Sequence, residues 1–462
     1  MLDTDLLASL LKEVLARGGD YADVFVESRK VTSIQLEDGR LEKIISGIDS
    51  GAGMRLISGG KTAYGFSNDL SRDSLIRLAT DLSGSFSRKT GTCVLDMTKR
   101  NPTFDSSITI RPDLVPMERK IRLVKSANTA ARSLDDHIRQ VTVTYRDFAQ
   151  KVQVATSDGT IAGDERIQTV AAVQVVAAET GEIQTGYEAA GGNIGFELFD
   201  SVSVEDMAQK ASKRAIMMLK AGKAPGGRMP IVISSEAGGT MIHEAIGHGL
   251  EADLAQQGLS IYSQKLGQEV ASRLVTVIDD STLPNKRGSF RFDDEGIPSQ
   301  RTVLVDRGML VGYLYDRLAA MRDSVKPTGN GRRESYRHRP IPRMTNTFLA
   351  PGDSSPDDIL RSTPKGLFVR KMGGGQVNTV TGDFVFDVQE GYMIENGKIG
   401  EAVRGATLTG NGQEVLRSID MVASDLGFSI GTCGKDAQGV PVSDAMPTIR
   451  VKEMVVGGGV AM

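Results

Sequence analysis

Tight turns between apolar runs constrain this chain more than any other feature of its sequence. Asp38-Gly39, Gly59-Gly60, Asp158-Gly159 and Thr180-Gly181 punctuate the N-terminal half. Each lies beside or between segments rich in β-branched and apolar residues. Asp-Gly between two such runs is the signature of a type I′ hairpin, whose twist matches that of the paired strands. Strands are therefore predicted at Val24–Lys30, Ser33–Glu37 and Arg40–Ile45, then at Met54–Ile57 and Thr62–Phe66. A second set is predicted at Gln140–Tyr145, Lys151–Thr156, Ile167–Ala178 and Glu182–Ala189. Helices fit before and after each set. Leu6, Leu7, Leu10, Leu11, Val14 and Leu15 recur at helical spacing and stop at Gly18-Gly19. Others fit near Ser71, over Pro116–Ser133 and near Ser203. The order helix, β-meander, helix thus recurs. Residues 1–222 read as an N-terminal α+β domain made of two similar blocks, 1–105 and 106–222.

The Gly- and Pro-rich stretch from Lys220 to Pro230 reads as a linker. Beyond it, residues 223–462 read as a C-terminal domain with a strand at Ile231–Ser234, a helix from about Ala237 to Leu254, and then mostly strands and turns. The strands are expected at Arg301–Val305, Met309–Tyr313, Gly366–Arg370, Phe384–Val388 and Thr448–Val456. The fold class is α+β with largely antiparallel sheets, the β-rich C-terminal domain carrying one prominent helix. At 40% hydrophobic, the 462 residues can bury a sizeable core.

Composition excludes several functions. Lys plus Arg number 55 against 58 Asp plus Glu, a net charge of −3, which argues against a general nucleic-acid coat. Aromatics make up 5% with no Trp, too few for an extensive base-stacking surface. No run of about 18 apolar residues exists to span a membrane. The opening MLDTDLLASL carries acids where a signal peptide needs basic residues. With only 2 Cys, the chain is expected in a reducing compartment, the cytoplasm.

The same scarcity draws attention to His243-Glu244-Ala245-Ile246-Gly247-His248, which holds two of only 4 His. The segment is one residue longer than H-E-x-x-H, in which two imidazoles one turn apart bind zinc and the Glu acts as base. A separation of five residues puts the side chains about 140° apart on a regular α-helix, too far round for one ion. A π-turn would realign them. The spacing therefore predicts a widened turn, which Gly247 makes cheap.

A catalytic zinc needs a third protein ligand and leaves the fourth position to water. Cys433, in the Gly-rich segment Gly431–Gly439, reads as a loop thiolate. Glu251, His338 and Cys93 are the other candidates, with Cys93 read as a half-buried bystander and His137 as a surface residue. The basic stretch Thr328–Arg343 reads either as a solvated loop or as a substrate loop. In the second reading Arg333 binds a peptide carboxylate, and Tyr336 or His338 donates to the oxyanion. Gly373-Gly374-Gly375 would let a ligand approach the backbone.

The run His243–Asp253 resembles the signature of the TldD/PmbA family of metallopeptidases. Phe292–Gly296, Thr328–Thr347, Gly405–Gly412 and Cys433–Gly439 are similar to further segments of that family. The likeness spans most of the chain and is densest after Pro230. Because the H-E-x-x-x-H motif is kept, the chain resembles the TldD-like member rather than the PmbA-like (TldE) one. The resemblance implies Zn2+ held by His243, His248 and Cys433, with Glu244 as the base. It also implies a two-subunit particle with a proteolytic chamber, formed with a PmbA/TldE-like paralogue or with a second copy. The implied substrates are unfolded peptides, including leader peptides of modified antibiotic precursors and unstable small proteins. Two other readings compete: a peptide-binding or regulatory subunit with a structural metal, and a nucleic-acid-associated regulator acting through Arg332–Arg343.

Overall fold

The computed structural model describes residues 1–86, 97–102 and 107–458. The expectation for Cys93 lies outside them. Helix α1 (Thr4–Val14) buries Leu6, Leu7, Leu10, Leu11 and Val14, and the Asp3 carboxylate accepts from the Leu6 amide at its start. Strands β1 (Tyr21–Glu37), β2 (Arg40–Ser58) and β3 (Lys61–Ser67) follow as a meander, then α2 (Arg72–Ser83). After the short β4 (Thr98–Lys99) the order repeats: α3 (Met117–Arg132), then β5 (Ile138–Thr156), β6 (Thr160–Glu179) and β7 (Glu182–Gly192), then the one-turn α4 (Leu198–Ser201) and α5 (Val204–Lys220). Asp38, Gly39, Thr180 and Gly181 all take positive φ at the hairpin tips, as the turn chemistry requires. Ser203 caps α5 by accepting from the Asp206 amide.

The two meanders make one sheet. β1 pairs antiparallel with β5 from Asp23 opposite Thr156 to Glu37 opposite Thr142. The strand order is β3-β2-β1-β5-β6-β4, with β7 also on β6. α1 and α2 pack an apolar core on the first meander, and α3 and α5 one on the second. The strands are far longer than the sequence pattern suggested. Val24–Lys30 and Ser33–Glu37 are parts of β1, Gln140–Tyr145 and Lys151–Thr156 are parts of β5, and Arg40–Ile45 and Met54–Ile57 are parts of β2. The reason is a change of burial along each strand. β1 is buried on both faces over Tyr21–Glu27 and alternates only afterwards, so its period changes midway. The first half of β2, through Ile48, is exposed and the second half buried.

The stretch expected as a linker is largely built into the next sheet. Gly222–Lys223 pairs with Val403–Arg404, and Gly227–Ile233 is a central strand. That sheet runs Lys365–Val377, Gly227–Ile233, Ile449–Gly457, Thr407–Asn411, Asp383–Glu395, and the last of these also pairs with the first, closing the ring. A separate six-stranded sheet ends in the hairpin Gly427–Lys435 and Gln438–Met446. One apolar core joins both, including Ile233, Ile246, Leu250, Leu349, Val369 and Val442. Strand Met309–Leu310 is shorter than expected. The helix expected over Ala237–Leu254 is broken into short pieces. Gly238, at φ 75°, interrupts its start, and Glu251, in extended backbone, interrupts its end. No described helix is long and apolar enough to cross a membrane.

Candidate metal centre

The motif lies in the middle of this broken helix. After one α-turn at Thr240–Ile242, residues His243–Gly247 form a π-turn, and the His248 amide donates to the His243 carbonyl. The widened turn required by the five-residue spacing is therefore present. It brings the two imidazoles together, with ring centroids 4.9 Å apart and planes at 88°. Gly247 does not supply the expected backbone freedom, because it sits at an ordinary helical φ of −55°. Its smallness is what matters. A methyl group there would collide with the Met344 sulfur, which packs directly on the turn. The turn is also fixed from the side, where the Tyr262 hydroxyl donates to the Ala245 carbonyl at 2.9 Å.

Cys433 comes to this turn from the far end of the sequence, and it stands on a strand rather than in a loop. It pairs with Val440 in the hairpin of Gly427–Lys435 with Gln438–Met446. Asp436 and Ala437, both at positive φ, make the tight turn that hid the strand behind loop-like composition. The Cys433 Sγ lies 3.4 Å from His248 Nε2. One ligand atom from each of His243, His248 and Cys433 falls within 4.8 Å of the others.

Carboxylates stand behind the two imidazoles. His248 Nδ1 meets the fully buried Glu251 carboxylate at 3.0 Å, and that carboxylate also faces Lys435 Nζ at 3.2 Å. Lys435 in turn donates to Asp253 at 2.7 Å. Glu251, weighed as a ligand from sequence, is instead the group that orients His248. His243 Nδ1 lies 3.9 Å from the Asp444 carboxylate and makes no hydrogen bond. Asp444 accepts from Ser429 Oγ and from the Gly239 amide at the foot of the helix. Sequence reasoning missed Asp444 and Lys435. A lone acid inside the apolar run Val440–Met446 was the available signal for Asp444.

The electrostatics fit a cation shared by these donors. Burial pushes the Cys433 thiol up, but hydrogen bonds from His243 and His248 and their charge outweigh it and bring it down to about 5. Burial lowers His248, yet Glu251 and Cys433 hold it well above the usual imidazole range. Burial raises the half-buried Glu244 above the ordinary carboxylate range, as suits a proton carrier. Two imidazoles and a thiolate, gathered within 4.8 Å of one another, form a donor set suited to zinc.

His243, Glu244 and His248 line a cleft of about 1100 Å³ between the N-terminal sheet and the C-terminal strands. One wall is strand Phe428–Lys435, and a second includes Met372–Val377. Gly373-Gly374-Gly375, expected to allow close approach of a ligand, lies in that second wall, at a register shift between Met372 and Gly375. Tyr187 and Ala189 of β7 also line the cleft.

Comparison with known proteins then decides the family. Successive segments match models described as PmbA/TldA metallopeptidase domain 1 (22–83), central domain (110–219) and C-terminal domain (226–458). A Haemophilus influenzae protein named metalloprotease TldD homolog is 37% identical over 466 residues, covering 99% of this chain and 97% of that one. The chain belongs to the TldD/PmbA family of metallopeptidases. A Methanothermobacter thermautotrophicus metalloprotease is 35% identical, covering 99% of both chains. Among solved structures, TldE from Thermococcus kodakarensis shares the fold with a TM-score of 0.77 at 15% identity, covering 98% of this chain and all of that one. A Thermotoga maritima protein described as a candidate modulator of a DNA gyrase gives 0.81 at 20% identity, again over 98% of this chain and 100% of its own length.

The basic stretch of this TldD/PmbA chain sits elsewhere. Arg333, Tyr336 and His338 are not among the residues lining the cleft around His243. Arg333 is buried, its amide on the Asp294 carboxylate at 2.8 Å and its guanidinium on the Asp294 carbonyl. Tyr336 is 1% exposed and lies over Gly51 of β2, where any side chain would strike its ring. Its hydroxyl donates to Asp49 at 3.1 Å. His338 Nδ1 contacts the Ser335 hydroxyl at 3.1 Å. His137 contacts Asp135 and Glu179 and is 37% exposed, in keeping with a surface residue.

Proposed function

We infer that this metallopeptidase is a zinc enzyme that hydrolyses extended, unfolded peptides. The observation that carries the reading is the gathering of His243, His248 and Cys433 beside Glu244 at the wall of an open cleft. His243, His248 and Cys433 would hold the zinc, which would lower the pKa of an attacking water and polarise the scissile carbonyl. Glu244, at the wall of the cleft with its carboxyl raised by burial, is the group that takes the proton of the attacking water and delivers it to the leaving amine nitrogen. Glu251 holds the His248 imidazole in place, and the Asp444 carboxylate stands 3.9 Å from His243 Nδ1. Substrate lies extended against the exposed edge of strand Gly427–Lys435, the last in its sheet order. Main-chain hydrogen bonds then give affinity with little sequence preference. Leader peptides and unstable small proteins meet that requirement, since folded proteins do not offer an extended chain. A thiolate ligand suits the reducing cytoplasm. The working unit is a dimer with a TldE-like paralogue or a second copy, enclosing the cleft. Tyr336 serves substrate only indirectly in this reading, by bonding Glu27 and Asp49 of the sheet that forms one side of the cleft, and Arg333 and His338 stand outside that cleft.

The test combines metal analysis of the purified full-length chain with digestion of an unstructured peptide, with and without a co-expressed TldE-like paralogue. About one zinc per site and cleavage lost on chelation are expected. Cleavage unaffected by removal of the metal would overturn the reading.

A further inference from the structure

A second cavity of about 570 Å³ adjoins the cleft, and the two share Tyr187, Ile430, Gly431 and Thr432 in their walls. Six arginines line it: Arg29, Arg146, Arg166, Arg287, Arg332 and Arg333. Two of the three carboxylates among its walls are paired with cations, and the third, Glu334, bonds an amide and attracts Arg29 from a distance. Asp147 is paired with Lys120 at 2.5 Å, Asp294 with Arg166 at 2.7 Å, and Glu334 accepts from the Gly439 amide at 2.6 Å. Among the described residues no ion pair reaches Arg29, Arg146, Arg287 or Arg332 within 4.0 Å. Arg332 and Arg287 spend hydrogen bonds on neutral partners, the Pro441 carbonyl at 2.7 Å and the Thr432 hydroxyl at 3.2 Å. The Arg29 guanidinium lies over the Phe148 ring at 4.1 Å. The Nε atoms of Arg29, Arg287 and Arg333 are buried with no hydrogen-bond partner. Burial, with the neighbouring Arg146 and Arg29, brings Arg287 down to about 10.

Guanidinium groups without an ion pair, such as those of the half-buried Arg29 and Arg287 and the buried Arg332, are costly around a cavity unless an anion completes them. We propose that this cavity is an anion subsite of the enzyme, binding a carboxylate of the substrate peptide. The ligand is either the C-terminal carboxylate or an Asp or Glu side chain; both present the planar pair of oxygens that a guanidinium grips. The location fits. Strand Gly427–Lys435 runs from Cys433 at the metal site to Ile430 at the shared wall, a span of about 10 Å at ~3.3 Å per residue. An extended peptide lying along that strand would carry a group roughly three residues from the scissile bond into the arginine cavity. The subsite would make a broadly tolerant peptidase prefer acidic or carboxy-terminal stretches without any side-chain pocket at the cleaved bond.

This inference rests on the peptidase reading, and the experiment separates the two. Fluorescently labelled, unstructured peptides carry a single Glu moved residue by residue, or Gln in its place, each as C-terminal acid and amide. Binding to the full-length Glu244→Gln chain and cleavage by the native chain are both measured. Expected is a loss of affinity of about tenfold or more, either when Glu becomes Gln at one register or when the terminus is amidated. The first outcome names the side chain as the ligand and the second the terminus. The preference should weaken with ionic strength. Arg29→Gln with Arg287→Gln should remove it while the neutral amide is cleaved as before. Arg146→Gln, at an exposed position where folding is not at stake, should reduce it in part. Equal binding of Glu and Gln peptides at every register together with equal binding of acid and amide termini, or an equal loss for charged and neutral peptides in the variants, overturns the subsite. Selective binding of acidic peptides with no cleavage by the native chain overturns the peptidase reading and leaves the subsite standing.

Discussion

Two buried charge clusters lie in this molecule, and they are built for opposite purposes. Around the metal centre, His243, His248 and Cys433 converge within 4.8 Å and Glu244 borders a cleft. Near the junction of the N-terminal sheet with the C-terminal half, Arg55 sits between Asp23 at 2.5 Å and Glu295 at 2.6 Å, with side chains essentially unexposed. Arg166 and Arg333 extend that cluster to Asp294. In the first, donors are left over on the side facing the cleft. In the second, opposite charges meet directly, and Arg55 has a carboxylate on either side. Leftover donors mark a place where something binds, and matched charges mark a place where two parts of the chain are locked together.

The largest expected effect separates chemistry from scaffold. Glu244→Gln should lower kcat by about 10² to 10⁴-fold, the usual yield of a positioned acid–base group, while zinc content and thermal unfolding stay near the native values. Retention of full peptidase activity would remove Glu244 from the mechanism. Cys433→Ser should release zinc on dialysis, read by metal analysis, because a hydroxyl is a far poorer ligand than a thiolate of pKa about 5. Arg55→Met attacks the other cluster. It strands Asp23 and Glu295 without their cation, at a cost of about 3–5 kcal/mol of folding stability in denaturant titrations. Zinc stoichiometry and the kcat of the molecules that remain folded should not change. If instead the metal were lost with stability intact, the two clusters would not be separate devices.

A smaller effect probes how the metal centre is supported. Glu251→Gln keeps the shape but removes the charge behind His248, and should weaken zinc affinity about 10 to 100-fold in competition with a chelator. Burial opposes ionisation of Glu251, but Lys435, His248 and Arg343 bring it down to about 2, so the carboxylate is charged throughout the working range.

The two clusters were unequally legible in the sequence. His243, Glu244 and His248 lie within six consecutive residues, and helix geometry alone demands a π-turn if the two imidazoles are to share an ion. Cys433 could be named because sulfur is scarce, yet its strand was hidden by glycines and by the turn at Asp436-Ala437. The Arg-rich stretch invited a substrate role because exposed positive charge is the common fate of arginine. Its actual partners are far away in sequence: Tyr336 bonds Asp49 and Glu27, and Arg333 meets Asp294 and Asp23. Such pairings carry no local periodicity, so spacing rules cannot find them. The turns at Asp38-Gly39 and Thr180-Gly181 were readable because they are local, whereas the join of β1 to β5 was not.

The smallest expected effect tests whether the locking cluster is fully matched. Asp316 lies beside Glu295 and caps the helix Arg317–Asp323 by accepting from the Ala319 amide at 2.7 Å. Burial and the Glu295 charge raise its carboxyl to about 7, Arg55 offsetting them only in part. In the unfolded chain the same group titrates near the ordinary Asp value of about 3.9. Between these values the folded state holds a proton that the unfolded state has released, so stability falls as pH rises from about 4 to about 7 and the contribution levels off above. One group can supply a slope of at most about 1.4 kcal/mol per pH unit. Asp316→Asn keeps a capping oxygen and removes the titration. Denaturant unfolding at a series of pH values should therefore show a shallower decline for the variant over that window and a gain in stability at pH 8. Parallel curves would mean that Asp316 is charged in the folded protein at neutral pH and that Arg55 neutralises three carboxylates rather than two.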